Sequence, residues 1–558
     1  MRNDEREMMK DESEAAFNSS FIIPRSSLTP EFGAMRKHLI RAAVVAAALC
    51  VIGASSARAA ASGGKSRERA ERAMKAGEFA EAEGLYRELI AKDARDAPAR
   101  LGLSLALLKQ RKNMDAYDQA SRVLGVDPTN APAHSLLGAA LLNSGDFRLS
   151  VEEFRTALSF KEDDAMAIAG LAMVDFYENR LGASLAGLRR AAFIDGNEPD
   201  YLYNLGQVAA RFERYKEAAD AYELFLRVAP VADADRRARI RGLIDFLRYL
   251  GSQSSLLDAG GSNEVSIPFE LVNNRPIIRV RVNGSKEPLR FVIDTGAGMC
   301  VISMAAADRL GLKPVARGGM ARAVGGMGRF EIVYGFIQSL QIGDTKVDRV
   351  PVYIRQFFND QETVDGYIGL SVLSKYLSTV DYAGQSLTLV RGDARERAPL
   401  PSANTIELPI RTTSSGFWSG EVNLEGVEKP VNFIIDTGAS ISVVSQALAA
   451  RAGMDKLAQS GRIRVYGAAG LADNIQTILL PRITLGMHER QNVYAAVLDM
   501  EPINETAGFE QTGIVGGNVL RHFRVSFDFA RGVVRLEPVS TTTTPDVQKN
   551  KPVIIDNL

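Results

Sequence analysis

Cysteine is nearly missing from this sequence: Cys50 and Cys300 are the only two in 558 residues, which excludes a disulfide framework. Histidine is also scarce. His38, His134, His488 and His522 stand far apart, none with metal-ligand spacing, so neither a metal nor a cofactor is expected. His488 and His522 are read as structural or exposed. No excess of one charge exists either. Lys+Arg and Asp+Glu balance at 67 each, which removes the electrostatic case for nucleic acid or an anionic membrane as partner. The apolar run Ala42–Ile52 falls short of the roughly 20 residues that a typical spanning helix needs. What remains, 46% hydrophobic and 24% charged, is ordinary globular composition. The length suits three or four units of about 100–200 residues each.

The apolar run has a context. Met35–Arg41 is basic, Ala42–Ile52 follows, and Ala57-Arg58-Ala59 has the small-x-small form of a cleavage site. Residues 35–60 therefore read as a secretory signal peptide. Residues 1–34 form an extension of doubtful status ahead of it. The expectation is export, to the periplasm or cell envelope of a bacterium, or else anchorage to the membrane by an uncleaved signal.

Residues 66–250 are rich in Ala, Leu and Arg with helical periodicity. One position recurs at Phe79, Met114, Phe147, Leu181 and Tyr215, in steps of 35, 33, 34 and 34. A second series, Gly102, Gly138, Ala172 and Gly206, places small residues where helices must approach closely. This period resembles the tetratricopeptide repeat. It implies about five helix pairs in an all-α solenoid, capped by a helix over 232–250, with a groove suited to a protein partner.

Residues 251–264 are Ser- and Gly-rich and read as a linker. Beyond it, short β-branched runs punctuated by Gly, Pro and Asn-Gly signal an all-β region, and 539–558 reads as a disordered tail. Within the β region one stretch occurs twice, Phe291-Val292-Ile293-Asp294-Thr295-Gly296-Ala297 and Phe433-Ile434-Ile435-Asp436-Thr437-Gly438-Ala439. The surroundings recur with it. Pro288 and Pro430 precede each aspartate by the same interval, as do Gly284 and Gly426. Gly325 and Gly328 follow Asp294 at the spacings that Gly467 and Gly470 keep from Asp436. Later come Tyr367-Ile368-Gly369 and Ile514-Val515-Gly516. The halves, 265–396 and 403–538, are an internal duplication.

This frame resembles the retropepsin-like aspartic proteases of the pepsin clan, here with two lobes in one chain. The resemblance implies a catalytic pair, Asp294 and Asp436. Thr295, Gly296, Thr437 and Gly438 would support the active-site loops. Flaps around 323–329 and 465–471 would carry Gly325, Gly326, Met327, Gly328, Gly467 and Gly470 over the substrate. Two carboxylates sharing one proton supply a base for water and an acid for the departing amine. Like charges a few ångströms apart cannot both ionise, so the pair titrates as a unit.

The expected architecture is thus an N-terminal tetratricopeptide-repeat solenoid followed by an all-β, double-lobed aspartic protease domain. The expected function is an exported aspartic endopeptidase whose repeats recruit a protein or peptide. The alternative is a catalytically silent protease-like module that binds peptides in a repeat-based scaffold. Cys300 is read as a buried small hydrophobe.

Overall fold

A computed structural model describes residues 64–539, apart from 233, 324–327, 359–362 and 393–403, together with 553–555. The chain divides into Met1–Ser66 and Arg67–Leu558. Of the first unit only residues 64–66, within the opening helix, are described. The expected extension (1–34) and signal peptide (35–60) lie outside the described residues.

The repeat region is a run of antiparallel helix pairs: α1 (64–76), α2 (Phe79–Lys92), α3 (Ala97–Lys109), α4 (Asn113–Leu124), α5 (Ala131–Asn143), α6 (Phe147–Phe160), α7 (Ala165–Tyr177), α8 (Leu181–Ile194), α9 (Pro199–Arg211) and α10 (Tyr215–Val228). A longer helix, α11 (Ala234–Ser252), follows. The sequence sets the starts. Asp96, Asn130 and Asp164 each accept a hydrogen bond from the backbone N–H three residues on, at 3.0, 3.1 and 3.0 Å, satisfying a donor that the first turn leaves open. The small-residue series is explained by aromatic rings. A Cβ on Gly138 would meet Phe154 at 2.8 Å, and one on Gly206 would meet Tyr222 at 2.8 Å. Those rings fill the seam between paired helices.

The β region holds two lobes of matching plan. In the first, Leu289–Ile293 runs parallel to Gly366–Ile368, which pairs antiparallel with Cys300–Ser303. In the second, Val431–Ile435 runs parallel to Gly513–Val515, which pairs antiparallel with Ser442–Ser445. Each lobe sends a hairpin into a shared sheet ordered Glu264–Pro268, Ser386–Arg391, Tyr376–Asp381, Phe523–Asp528, Val533–Pro538, Ile406–Thr412. Its centre is the pairing of Ser378 with Phe527 across the lobes. One apolar core runs through both lobes, and Cys300 lies in it at 1% exposure. Burial pushes that thiol up to about 11.

Two expectations are corrected. The stretch 251–264 is not a free linker: α11 runs to Ser252, and Asp258–Gly261 is an edge strand paired with Thr345–Arg355. Arg349 fixes it, donating to the Ser255 carbonyl at 2.7 Å and pairing with Asp258. The tail 539–558 is not wholly without structure. Val553–Ile555 pairs in parallel with Val465–Gly467, because a strand edge in the second lobe offers it backbone partners.

The repeats are docked on the lobes. Phe509, 2% exposed, leaves the second lobe to join the repeat core, edge-on to Phe147 at 4.9 Å and Tyr177 at 5.1 Å. The Glu510 N–H donates to the Asn143 carbonyl at 2.8 Å. On the first lobe, the bare α-carbon of Gly242 in α11 abuts the backbone of Arg317 and Gly318. Phe246 stacks on Tyr334 at 4.4 Å.

Candidate active site

Each aspartate stands where an apolar strand ends. The Asp294 N–H donates to the Ile368 carbonyl at 3.1 Å, and the Asp436 N–H to the Val515 carbonyl at 3.0 Å. The two apolar-Gly elements therefore brace the two loops from behind. Both aspartates are fully buried.

The loops lock together through their threonines. The Thr437 N–H donates to Thr295 Oγ1 at 3.0 Å, and the Thr295 N–H to Thr437 Oγ1 at 3.2 Å. Each hydroxyl then donates across the junction, Thr295 to the Ile435 carbonyl at 2.7 Å and Thr437 to the Ile293 carbonyl at 2.6 Å. Donors and acceptors are thus matched in a fully buried setting, where a missing partner costs about 1–3 kcal/mol.

The glycines hold the carboxylates. The Gly296 N–H donates to Asp294 Oδ1 at 2.9 Å, and the Gly438 N–H to Asp436 Oδ1 at 2.7 Å. Each glycine also faces the opposite aspartate. A Cβ on Gly296 would lie 2.5 Å from the Asp436 carboxyl carbon, and one on Gly438 would lie 2.6 Å from that of Asp294. The two acids therefore sit face to face over a crossed pair of glycines. Asp436 is held protonated well above the usual carboxylate range. Burial is the main cause and the neighbouring charge of Asp294 the next, with the Gly438 and Ala439 N–H groups opposing them.

The flaps are hairpins. In the first, Ala316–Arg322 pairs with Arg329–Ile342. In the second, Ala458–Gly467 pairs with Gly470–Leu485. Gly328 has φ +70° and Gly470 φ +120°, values that favour glycine. Gly467 closes the second hairpin opposite Gly470. Gly325, Gly326 and Met327 lie outside the described residues. The hairpins touch: Ala323, Ala468 and Ala469 form one buried cluster with Phe330 packed against it.

Beside Ala297 and Gly298 opens a cavity of about 720 Å³. Its walls come from three sources: Tyr203, Gln207 and Arg211 of the repeats, Tyr334 of the first flap, and Ser414–Trp418 with Ala468 of the second lobe. Burial lowers the Arg211 guanidinium from its ordinary value. Glu505 ties the rim, 3.3 Å from Arg239 of α11 and 3.6 Å from Arg322 at the base of the first flap.

Sequence reasoning missed Ser440, Glu505, Phe509 and Arg211. Only Ser440 left a trace: it follows Asp-Thr-Gly-Ala where the first lobe has Gly298, a break in the duplication. His522 is half-buried beside Arg490 and Arg521 and is pushed down to about 4, by burial first. Among the described residues no cluster of His, Cys, Asp or Glu could hold a metal ion.

Known proteins bear on this geometry. Residues 278–372 and 420–519 match the aspartyl protease family model, one stretch per lobe. This is an aspartyl-protease region in two parts. Residues 67–130 and 101–167 match a tetratricopeptide-repeat model. Solved structures that resemble the chain include two that each match about a third of it. A thermophilic repeat protein of Thermus thermophilus is 16% identical over 33% of this chain and 98% of that one, with a TM-score of 0.29. MamA of Desulfovibrio magneticus is 20% identical over 31% of this chain and 97% of that one, with a TM-score of 0.23. No curated protein matches.

Proposed function

We propose that this chain is an aspartic endopeptidase. One observation carries the reading: two intact Asp-Thr-Gly loops face each other, each glycine bare against the other loop's carboxylate. Water held between the acids gives a proton to ionised Asp294 as its oxygen attacks the peptide carbonyl carbon. Asp436, the acid held protonated, gives its proton to the carbonyl oxygen. Collapse of the tetrahedral adduct breaks the C–N bond: the proton on Asp294 leaves with the amine, and ionised Asp436 takes back a proton from a hydroxyl of the adduct, which becomes the new carboxyl group and restores the pair to its starting state. The flaps must part to admit substrate and then close to exclude water.

The repeats serve recruitment in this reading, because Tyr203, Gln207 and Arg211 stand in the wall of the cavity next to the Asp294 loop. The protein is exported by the segment 35–60, and its mature N-terminus is expected just after Ala59. Incubation of the purified chain with a mixed peptide library, followed by mass spectrometry, tests the activity. Internal cleavage is expected, and it should vanish in Asp294→Asn and in Asp436→Asn. Equal cleavage by the variants would defeat the reading.

A further inference from the structure

In the proteolytic reading a peptide that reaches the two acids lies extended beneath a flap, and a strand of this chain already pairs with the second flap. Val553–Ile555 pairs in parallel with the first strand of the second flap: Val553 opposite Val465, Ile554 opposite Tyr466, Ile555 opposite Gly467. Gly467 adjoins the flap tip, Ala468 and Ala469. The same segment is held from below by Ser440, four residues past Asp436. The Ser440 N–H donates to the Ile554 carbonyl at 2.9 Å, its hydroxyl donates to that carbonyl at 3.0 Å, and the Ile554 N–H donates to the hydroxyl oxygen at 3.0 Å. Ile554 is fully buried. A segment bonded through its backbone to both flap and acid-bearing loop is bound as a peptide is bound by strand addition: main-chain bonds give affinity, and alternate side-chain pockets give selection.

The two lobes differ here. Gly298, at the place of Ser440 in the first lobe, has no hydroxyl, and its α-carbon abuts the Ser415 carbonyl and Gly416. The first-lobe side borders the cavity instead. Ser440 of the second lobe is thus bonded to a strand, and Gly298 of the first lobe adjoins open space.

We propose that residues 553–555 are a tethered occupant of the substrate path, so that the C-terminus of the chain competes with extended, apolar peptide segments for the Ser440 subsite. The proposal rests on the proteolytic reading for its consequence, but the subsite itself is a matter of binding. The segment belongs to the chain whose subsite it fills, so its binding is intramolecular and even a weak segment keeps the subsite filled until a better or more concentrated peptide displaces it. Removing the occupant should raise turnover of added peptide.

The test uses a fluorescent peptide with the sequence Lys549–Leu558 and its anisotropy with the full chain. Asp294→Asn in every protein keeps the probe from being consumed. Ile554→Asp in the chain places a charge where the fully buried side chain sits and should release the strand. The probe is then expected to bind the Ile554→Asp chain at least tenfold more tightly than the chain with Ile554 intact. A probe carrying the same Ile554→Asp change should not bind, and adding Ser440→Ala to the chain should weaken binding. Circular dichroism checks the fold, and a chain ending at Val539 repeats the comparison should Ile554→Asp unfold. Equal affinity for intact and released chains, or binding to neither, would overturn the proposal. Absence of cleavage with Asp294 restored would count against the protease reading alone and leave the binding result standing.

Discussion

Gly296 and Asp436 share one space: a methyl group on the glycine would stand 2.5 Å from the carboxyl carbon of the acid. Gly438 and Asp294 repeat the relation at 2.6 Å. Neither glycine is required by a left-handed backbone here. Each is required by what the other loop presses against it, so the triplets are halves of one site.

Gly296→Ala should therefore push Asp436 aside while the backbone N–H at position 296 still donates to Asp294. A displacement of about 1 Å near reacting atoms can cost about 10²-fold in rate, and a loss of at least that size is expected in kcat. The Asp436 carboxyl should also move towards the ordinary range, since separation weakens the effect of Asp294. Carbon NMR of labelled aspartate reads that shift.

Asp436 links stability to pH. Its folded value is raised above the unfolded one, so its contribution is complete below the ordinary aspartate pKa and is lost as pH rises towards the folded value. Asp436→Asn lacks this loss. The variant should melt higher than wild type at neutral pH, with the difference closing as pH falls below about 4. Thermal melts at several pH values check the sign.

Thr295→Val removes the acceptor of the Thr437 N–H and the donor to the Ile435 carbonyl. Each buried group left without a partner costs about 1–3 kcal/mol, so denaturant unfolding should show a loss of that order or twice it. Thr295→Ser retains the hydroxyl and should lose much less.

Phe509→Ala tests the docking of the repeats. The ring is 2% exposed among Phe147 and Tyr177, and a truncation of this kind costs about 3–5 kcal/mol. Hydrogen exchange should rise in α5–α7 and in the loop after Ala507, whereas the crossed threonines should stay protected. If cleavage of long substrates falls more than that of short peptides, the repeats act in recruitment.

The duplication was legible because strand, turn and glycine spacing are local, and both copies kept them. Asp294, Asp436 and the threonines follow from that register. The repeat period was legible for the same reason, the small residues at Gly138 and Gly206 being answered by aromatic rings at fixed distances along the chain. What sequence could not show is long-range. Ser255 and Asp258 look like linker residues until Arg349 reaches them from another strand. Val553–Ile555 looks like the end of a tail until the edge at Val465–Gly467 supplies its partners. Phe509 is one aromatic in a loop, and nothing local says that its pocket lies among the repeats.

The pH dependence of kcat/KM for a cleaved peptide tests the central claim most directly. One acid must be ionised and the other protonated, so the profile should be bell-shaped, with its upper limb well above the usual carboxylate range because Asp436 is held protonated. Asp294→Asn should abolish the activity throughout. A rate that climbs steadily with pH, or one that survives Asp294→Asn unchanged, would contradict the shared-proton pair.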